Sequence, residues 1–598
     1  MKPRIERRSV PASAAAWPEA MHPVLRRIYA ARGIAAPQEV EHRLAALAAP
    51  HALGGMRRAC ELVEQALRGD ERIIVVGDFD CDGATGTAVA VRGLRLLGAR
   101  DVGYAVPNRF RHGYGLSPAL VEELLPQRPQ LLITVDNGVA AIAGVAAARA
   151  HGIRVLVTDH HLPGSGLPAA DALVNPNVLE IAACAHGENV CAACAADTQL
   201  NRGFSSRALA GVGVVFYFLL ALRAHLRERA WFAARAIAEP DLAVLLDLVA
   251  LGTVADLVPL DRNNRILVEA GLKRMRAGKC CAGIAALLDS AGRDKARLTA
   301  ADLGFSVGPR INAAGRLDDM RFGIECLLTD DAARARELAE RLSAINGERR
   351  ELQTTMVADA HAALARWHAE RGGAELPVGL VLFDPSWHHG VVGLVASKLR
   401  ESLNRPVIAC APAEQGEEVK ASGRSVPGFH LRDALAEIDA RRPGLLARFG
   451  GHAMAAGMSL RRDGVAELAS EFDRVARTRI PAEQLAAVVL TDGELGAEDW
   501  SLDLAQQLRY GGPWGQGFAE PQFDGAFVVE AWKTVGESHL RMTLRSPLGG
   551  PPLTAIAFDA LESTPPPPRL RAVYHLDIDE WNGLRRLQLL VRDFWAEE

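Results

Sequence analysis

The sequence has few lysines, few cysteines and no long apolar run. Only 7 of its 68 basic residues are lysine, so nearly every cation is the planar arginine guanidinium, which suits bidentate contacts with anions. The 9 cysteines among 598 residues lack regular spacing, which argues against a disulfide scaffold and for a reducing compartment. The most apolar stretch, residues 208–222, is shorter than the roughly 20 residues of a membrane span. We therefore expect a cytoplasmic protein without a membrane segment.

The chain also lacks an excess of charge of either sign. Its 68 basic and 72 acidic residues give a formal net charge of −4. Such a balance argues against a protein that coats nucleic acid through overall positive charge, although it is compatible with a local basic channel. At about 150 residues per domain, 598 residues predict three or four domains.

Four apolar runs in the first third of the chain predict strands. They cover residues 72–77, 102–106, 131–135 and 153–158, and helix-like segments separate them. Continuous apolar strands that alternate with helices indicate a parallel sheet covered on both faces. The carboxyl ends of such strands meet at one edge, where ligands bind, and three of these four ends carry Asp or His.

The later part of the chain predicts further domains. Residues 332–370 indicate a long connecting helix, residues 378–383 and 406–411 are strands of a second α/β unit, and short β-like runs with Gly and Pro turns follow from about Pro481. The expected domains are an N-terminal extension at 1–55, an α/β domain with a helical part at 56–330, the connecting helix at 331–372, the second α/β domain at 373–480 and a small all-β barrel or sandwich at 481–598.

Carboxylates and histidines cluster at the predicted strand ends. The residues concerned are Asp78, Asp80, Asp82, Asp136, His160 and His161. Their oxygen and imidazole ligands suit Mg²⁺ or Mn²⁺. A single Asp at such a place is more often a helix cap than a ligand, but five or six at successive strand ends favour a metal site. Strand alternation predicts that the first three share one side and that Cys81 points away from them into the core.

Four further segments, in three groups, are candidates for contact with an anionic substrate. They contribute Arg109 and His112; Arg310, Asn312 and Arg316; and Ser422, Gly423, Arg424, Gly450, Gly451 and His452. We interpret the glycine-rich surroundings of the last two groups as open loops whose donors could bind phosphate. The alternatives are a loop that pairs with Asp318 and Asp319 in the first case and ordinary tight turns in the second.

The order of the motifs resembles a known family. VVGDFDCDGATG, VPNRFRHGYG, TVDNG, TDHH, LVALGTVADLVPL and GPRINAAGRL are similar to successive motifs of the DHH phosphoesterase superfamily in its RecJ branch. WHHGVVGLVASKL, ASGRSVPGFHLRDAL and FGGHAMAAGM resemble the accompanying DHHA1 domain, and LRYGGPWGQGFAEPQF resembles the start of the C-terminal oligonucleotide-binding domain.

The resemblance implies a role for each site residue. The implied metal ligands are Asp80, Asp82, Asp136, His160 and Asp256, while His161 would contact the scissile phosphate, with Asp159 supporting the cluster. Relatives often have His at the position of Val76, where Asp78 could compensate. We expect one tightly bound Mn²⁺ or Mg²⁺ at Asp82, Asp136, His160 and Asp256, and a weaker second one.

The resemblance also implies an activity, a 5′→3′ exonuclease specific for single-stranded DNA that releases 5′-mononucleotides in repair and recombination. Alternatives are a phosphodiesterase for short oligoribonucleotides or cyclic dinucleotides, which would lack the C-terminal barrel, and a non-catalytic scaffold, which would have lost the carboxylates. The family implies a helicase and a single-strand-binding protein as partners of a monomer.

Two segments stay ambiguous. The region from Pro481 has 9 basic against 18 acidic residues, which is unusual for a strand-binding groove, and its aromatic residues fit either a barrel core or base stacking. Those aromatics include Trp514, Phe518, Trp532, Phe558 and Trp581. Residues 178–203 contain Cys184, His186, Cys191 and Cys194, which have zinc chemistry, but a surface insertion is the preferred interpretation.

Overall fold

The computed structural model describes most of the chain in two compact units. The described residues are 4–12, 17–108, 112–164, 166–178, 203–370, 375–413, 417–536, 538–560, 565–581 and 583–597. The larger unit combines Arg7–Ser343 with Thr491–Glu598, and the smaller one combines Met1–Glu6 with Ala344–Leu490. Arg109, Trp581's side chain and nearly all of the cysteine-containing segment 178–203 lie outside the described residues.

A five-stranded parallel sheet forms the centre of the larger unit. Its strands are, in spatial order, Val102–Ala105, Ile73–Val76, Leu131–Val135, Arg154–Thr158 and Ala172–Val174. The second and third of these are buried at every residue, as a sheet covered on both faces requires. Four strands and the parallel arrangement confirm the sequence prediction, whereas the fifth strand was not among the apolar runs identified.

Helices cover the sheet and form an extended helical part. They are Pro23–Ala31, Met56–Arg68, Cys81–Leu96, Pro118–Leu124, Ile142–Ala150, Gly211–Glu228, Trp231–Arg235, Leu246–Ala255, Arg262–Arg276, Ala282–Ser290, Ala300–Asp302, Gly308–Leu317 and Arg321–Leu328. The long helix Gly211–Glu228 is buried in the core against Cys81–Leu96. No helix in the described part of the chain is both long and apolar enough to cross a bilayer.

The C-terminal part of the larger unit is the expected closed β-barrel. Its strands run, in order around the barrel, Phe523–Val535, His539–Arg545, Leu553–Ala557, Leu584–Ala596 and Arg569–Trp581, and the helix Leu502–Tyr510 precedes them. Phe518 is buried and Trp514 stacks on it at 4.9 Å, so both are structural. Trp532 and Phe558 are 46% and 58% exposed, so they are available to a ligand.

The smaller unit contains a mixed sheet with helices. Its strands are, in spatial order, Leu446–Gly451, Ala455–Arg461, Glu418–Arg424, Val407–Pro412 and Leu380–Phe383, and its helices are Val392–Leu403, Leu431–Arg441 and Val465–Arg479. Only the last two strands pair in parallel. The long helix Ala332–Glu370 joins the two units, as predicted, and a two-stranded sheet pairs Arg4–Arg7 with Val488–Thr491.

A buried ion pair fastens the N-terminal segment to the segment that enters the barrel. The Arg32 guanidinium donates to both oxygens of Asp492 at 2.7 and 2.9 Å, and the two side chains are 3% and 2% exposed. Arg8 lies 3.8 Å from the same carboxylate. The expected domain limits remain a prediction, but these contacts show that the N-terminal residues are part of the larger unit's packing.

Replacing Asp492 should therefore destabilise the protein. Asp492→Asn leaves the Arg32 charge buried without its partner, and breaking such a pair typically costs about 3–5 kcal/mol. We expect a clearly lower midpoint of thermal unfolding. The matched control is Glu41→Gln, since Glu41 pairs with Arg43 on the surface, where the side chains are 48% and 76% exposed. Equal midpoints for the two variants would contradict the role given to this pair.

Candidate metal centre

The carboxyl edge of the parallel sheet gathers most of the predicted site residues. Asp78 and Asp80 follow the strand Ile73–Val76, Asp136 follows Leu131–Val135, and the Asp159–His161 turn follows Arg154–Thr158. Asp256 comes from elsewhere, directly after the helix Leu246–Ala255. Parallel strands bring their carboxyl ends to one edge, which explains why residues far apart in sequence meet here.

One group of ligand atoms surrounds the His160 imidazole. Its Nε2 lies 3.0 Å from Asp136 Oδ1, 3.5 Å from Asp256 Oδ2 and 4.0 Å from Asp82 Oδ2. Ligand atoms of Asp82, His160 and Asp256 all lie within 4.8 Å of one another. These four residues are the set expected to bind a metal tightly.

A second group of ligand atoms shares Asp136 with the first. Asp78, Asp80 and Asp136 have ligand atoms within 4.8 Å of one another. Val76 is buried in the core, so the preceding strand adds no ligand there. A set of carboxylates alone suits a hard cation that keeps several water ligands. The structure thus places the residues expected at the weaker site together.

The protonation chemistry of the first group fits a bound cation. Burial, followed by the charges of neighbouring carboxylates, raises the pKa values of Asp82, Asp136 and Asp256. Burial also lowers the pKa of His160 to about 4, so its imidazole is neutral at pH 7 and keeps a lone pair for a metal. The buried atoms Asp136 Oδ1, His160 Nε2 and Asp256 Oδ2 make no hydrogen bond to any described residue. A divalent cation would neutralise the carboxylates, bind the lone pair of the neutral imidazole and give the three unpaired atoms a partner.

Two of the loop carboxylates are also fixed by backbone amides. Asp80 caps the helix Cys81–Leu96 by accepting from the Gly83 amide at 2.9 Å. Asp82 lies in the first turn of that helix and accepts from the Gly211 and Val212 amides at 2.6 and 2.9 Å. These amides begin another helix, whose positive end favours an anion. Capping and metal binding are therefore compatible for these residues.

The strand-alternation argument for this loop is wrong. The strand ends at Val76 and the helix begins at Cys81, so Asp78, Asp80 and Asp82 are not in one extended segment. Cys81 is buried in the core, as expected, but it is there because it starts a packed helix.

Asp136 has a strained backbone that its neighbour stabilises. Its φ is +61°, a left-handed conformation that costs a non-glycine residue about 1–2 kcal/mol. The Asn137 Nδ2 donates to the Val76 and Val135 carbonyl oxygens at 3.0 and 2.9 Å, which ties the ends of two strands together. Asn137 was not predicted from the sequence, although it directly follows a candidate ligand.

Asp159 orients the second histidine. Its carboxylate accepts from the Val139, His160 and His161 amides and lies 2.8 Å from His161 Nδ1. Burial alone would raise the pKa of Asp159, but the hydrogen bond with His161, the charge of that ring and the backbone amide donors together outweigh burial and lower that pKa. Burial would likewise lower the pKa of His161, but Asp159 raises it. His161 is thus held by an ionised carboxylate in an orientation that favours its charged form.

Two asparagines fix the backbone of the turn Asp159–His161. Asn175 Nδ2 donates to the His161 carbonyl oxygen at 2.9 Å, and Asn177 Nδ2 donates to that of His160 at 2.6 Å. Both follow the short fifth strand of the sheet. Sequence reasoning missed them because that strand was not recognised, so nothing marked Asn175 as a strand-end residue.

Tyr114 is a further residue of the site that sequence reasoning did not single out. Its hydroxyl donates to the Asp136 carbonyl oxygen at 2.8 Å and lies 3.3 Å from the His161 ring nitrogens. It belongs to the same VPNRFRHGYG motif as His112 and as Arg109, which lies outside the described residues. His112 is engaged by Glu123 at 3.1 Å and by the Asn108 amide.

The expected loop around Arg310 is helical instead. Leu303–Val307 form a π-helix that continues into the α-helix Gly308–Leu317, because Ile311, Ala313 and Ala314 bury an apolar face. The segment contacts the loop between the strand Ile73–Val76 and the helix Cys81–Leu96. A Cβ at Gly315 would lie 1.8 Å from the Phe79 carbonyl oxygen in that loop. The glycine therefore allows close approach to the protein's own backbone.

Two of the candidate side chains in this helix make contacts within the protein. Asn312 Oδ1 accepts from the Cys81 amide at 2.8 Å, and this hydrogen bond fixes the start of the helix Cys81–Leu96. Arg310 donates to Ser343 Oγ and to the Ser306 carbonyl oxygen. Arg316 lies in the last turn of the helix.

The expected phosphate loops of the smaller unit are mostly strand. Ser422, Gly423 and Arg424 end the strand Glu418–Arg424, and Gly450 and Gly451 end Leu446–Gly451. His452, just beyond, donates its amide to the Ala455 carbonyl oxygen. Glycine was interpreted as a loop signal, but here it leaves the sheet surface open.

Open space lies along one row of this sheet. Gly450 pairs with Gly457, which pairs with Ser422, and no atom lies within 4 Å of the Cβ position of either glycine. Arg424 donates to Ser422 Oγ and to the Gly423 carbonyl oxygen, and among the described residues no carboxylate forms an ion pair with it. Burial lowers the pKa of this guanidinium. Uncovered glycine backbone in this row therefore lies near the Arg424 guanidinium, which forms no ion pair with any described carboxylate.

Comparisons with known proteins agree with this architecture. Residues 72–253 match the N-terminal domain of the DHH family, residues 377–478 the DHHA1 domain, and residues 491–593 the RecJ OB domain. The single-stranded-DNA-specific exonuclease RecJ of Dickeya dadantii is 49% identical over 97% of this chain and 97% of its own, and that of Escherichia coli is 47% identical over 97% and 96%.

A solved structure extends the agreement to three dimensions. The Thermus thermophilus RecJ in complex with Mn²⁺ superposes with a TM-score of 0.78 at 30% identity, covering 100% of this chain and 80% of that one. The Mg²⁺ complex of the same protein gives a TM-score of 0.72 at 28% identity, over 100% and 79%. The fold, the order of the domains and the sequence identity that extends over nearly the whole chain lead to one assignment: the chain belongs to the RecJ family of DHH proteins.

Proposed function

We propose that this chain is a single-stranded-DNA-specific exonuclease that hydrolyses phosphodiester bonds in the 5′→3′ direction and releases 5′-mononucleotides. The observation that carries the proposal is the group of Asp82, Asp136, His160 and Asp256, in a chain that is 49% identical over almost its whole length to a single-stranded-DNA-specific exonuclease. Roles in DNA repair and recombination, a monomeric state, a cytoplasmic location, and a helicase and a single-strand-binding protein as partners belong to the same proposal.

The carboxylate and histidine groups would hold the cation that the reaction needs. Asp82, Asp136, His160 and Asp256 would bind one Mn²⁺ or Mg²⁺ tightly, and Asp78 and Asp80 would join Asp136 in binding a second one more weakly. Such cations supply Lewis acidity, which acidifies water and stabilises negative charge on phosphoryl oxygens. The protein's contribution is to hold these ligands in place through amides and strand ends.

His161 would contact the scissile phosphate. Asp159 holds its Nδ1 side and raises its pKa, so the ring favours the charged form and leaves Nε2 for a phosphoryl oxygen. Tyr114 packs edge-on against the ring at 5.7 Å and restricts its rotation. In this proposal His161 acts on the substrate, and Asp159 and Tyr114 position it.

Substrate contacts are proposed for the remaining candidates. Arg424, with Ser422, Gly423, Gly450, Gly451 and His452, would bind a phosphate at the open row of the smaller sheet. Arg109, His112, Arg310 and Arg316 would add positive charge along the strand, whereas the contact of Asn312 with the Cys81 amide favours a structural role for that residue. In the barrel, exposed Trp532 adjoins Lys533, which pairs across the strands with Arg541. Because successive side chains of a strand point to opposite faces, this hairpin offers a stacking ring on one face and the two cations on the other.

Direction and strand preference are tested by digestion of labelled DNA. With Mn²⁺ present, a 5′-labelled single strand should lose its label as mononucleotide at early times, while a 3′-labelled strand should first shorten with its label retained. Duplex DNA should be spared. Early release from the 3′ end would contradict the proposed direction. A preference for dinucleotides over long strands would instead support the alternative phosphodiesterase activity.

Asp136 is the most direct test of the site, since both ligand groups share it. Asp136→Asn keeps the shape and tolerates the left-handed backbone, but it removes the charge. We expect exonuclease turnover to fall by about a thousandfold or more and the stabilisation of the fold by Mn²⁺ to be lost. Asp330→Asn is the control, because Asp330 is 84% exposed and pairs with Arg92 at the surface. Activity in Asp136→Asn close to that of the control would refute the site.

Calorimetric titration with Mn²⁺ separates the two sites. We expect one tight and one weaker binding event per chain. Asp256→Asn should weaken the tight event and leave the other measurable, whereas Asp78→Asn should affect only the weaker one. Two equally tight events in the unmodified protein would show that the imidazole does not distinguish the sites as proposed.

A further inference from the structure

The surroundings of the metal centre include unusually exposed apolar side chains. Leu257 and Leu162 are 68% and 63% exposed, which makes them two of the three most exposed large apolar residues that the structure describes. Leu257 directly follows Asp256, and Leu162 directly follows His161. Single exposed leucines are ordinary, but two that each adjoin a residue of the same polar site call for a common explanation.

The backbone of Leu257 is a second unfavourable feature at the same place. Its φ is +61°, the left-handed conformation common just after a helix end, where glycine or asparagine avoids the strain. Here that position carries a branched apolar residue whose side chain faces solvent. Residues kept in such conformations often serve a function, because neither local packing nor backbone preference accounts for them.

A third exposed side chain adjoins the same site. Tyr114 is 51% exposed, and its ring lies edge-on to His161 at 5.7 Å and to Phe79 at 5.9 Å. His161 is the residue that we propose contacts the phosphate. The polar centre is thus accompanied by apolar groups on the strand-end turns and on the end of the helix Leu246–Ala255.

We propose that Leu162 and Leu257 form an apolar rim that packs against the sugar and base of the nucleotide at the scissile phosphate. This inference rests on the proposed exonuclease function. A phosphodiester held at the carboxylates carries a sugar and base close by, and the rim offers them an apolar surface. At a duplex end that base is paired through its Watson–Crick edge and held against its partner strand, so it is less free to turn onto the rim; the rim would therefore favour an unpaired terminal nucleotide and contribute to single-strand preference.

The test compares two DNA substrates that differ only in their terminal bases. One is a 5′-phosphorylated single strand, and the other has abasic tetrahydrofuran residues at its first two positions. In the unmodified protein the abasic strand should have the lower kcat/KM. The double variant Leu162→Ala/Leu257→Ala should lose about tenfold in kcat/KM on the normal strand and change little on the abasic one. Leu257→Asn, which tolerates the left-handed backbone, should show part of the same loss.

Controls separate this role from damage to the site or to the fold. Leu96→Ala removes a 41% exposed leucine at the opposite end of the helix that begins at Cys81, and it should match the unmodified protein. Mn²⁺ affinity should be unchanged in all variants. Equal losses on both substrates, or no loss on either, would overturn the rim. Absence of single-strand digestion by the unmodified protein would instead refute the exonuclease proposal itself.

Discussion

Repulsion among carboxylates is the constraint on which the rest of this structure depends. Asp78, Asp80, Asp82, Asp136 and Asp256 lie at one sheet edge, largely out of water, where like charges repel strongly. Burial first, and then the neighbouring carboxylate charges, raise the pKa values of Asp82, Asp136 and Asp256. Without a cation this repulsion among the carboxylates destabilises the fold. A divalent metal bound among them would remove it and complete the arrangement.

The surrounding elements offset part of that cost and fix the geometry. Helix amides bind Asp82, Asn137 joins two strand ends beside Asp136, and backbone and imidazole donors surround Asp159. These partners limit the freedom of each ligand before any cation binds. Such preorganisation matters because a metal site gains selectivity from fixed ligands supported by a second set of contacts.

The sequence was sufficient for features that depend on period and spacing. The apolar runs at 72–77 and 131–135 became buried strands, and the geometry of parallel sheets then required Asp136 and His160 to approach each other. The closed barrel and the long helix followed from turn residues and from the lack of helix breakers. These predictions succeeded because each depends on a repeated local pattern.

Features that depend on tertiary contact were not predictable in the same way. Gly315 and Gly450 suggested loops, but one allows a helix to approach Phe79 and the other leaves a strand surface open. Asn175 was missed because its strand is only three residues long. Tyr114 carries no pattern of its own, and its importance becomes visible only when its hydroxyl is found beside His161.

The central claim is that His160 and the three carboxylates around it form the preferred cation site. Crystals grown with Mn²⁺ and measured at the manganese absorption edge test it most directly, since anomalous scattering locates the ion without assumptions about ligands. The account predicts that the strongest peak lies among Asp82, Asp136, His160 and Asp256. A strongest peak between Asp78 and Asp80 with none beside His160, or no peak at this sheet edge, would contradict it.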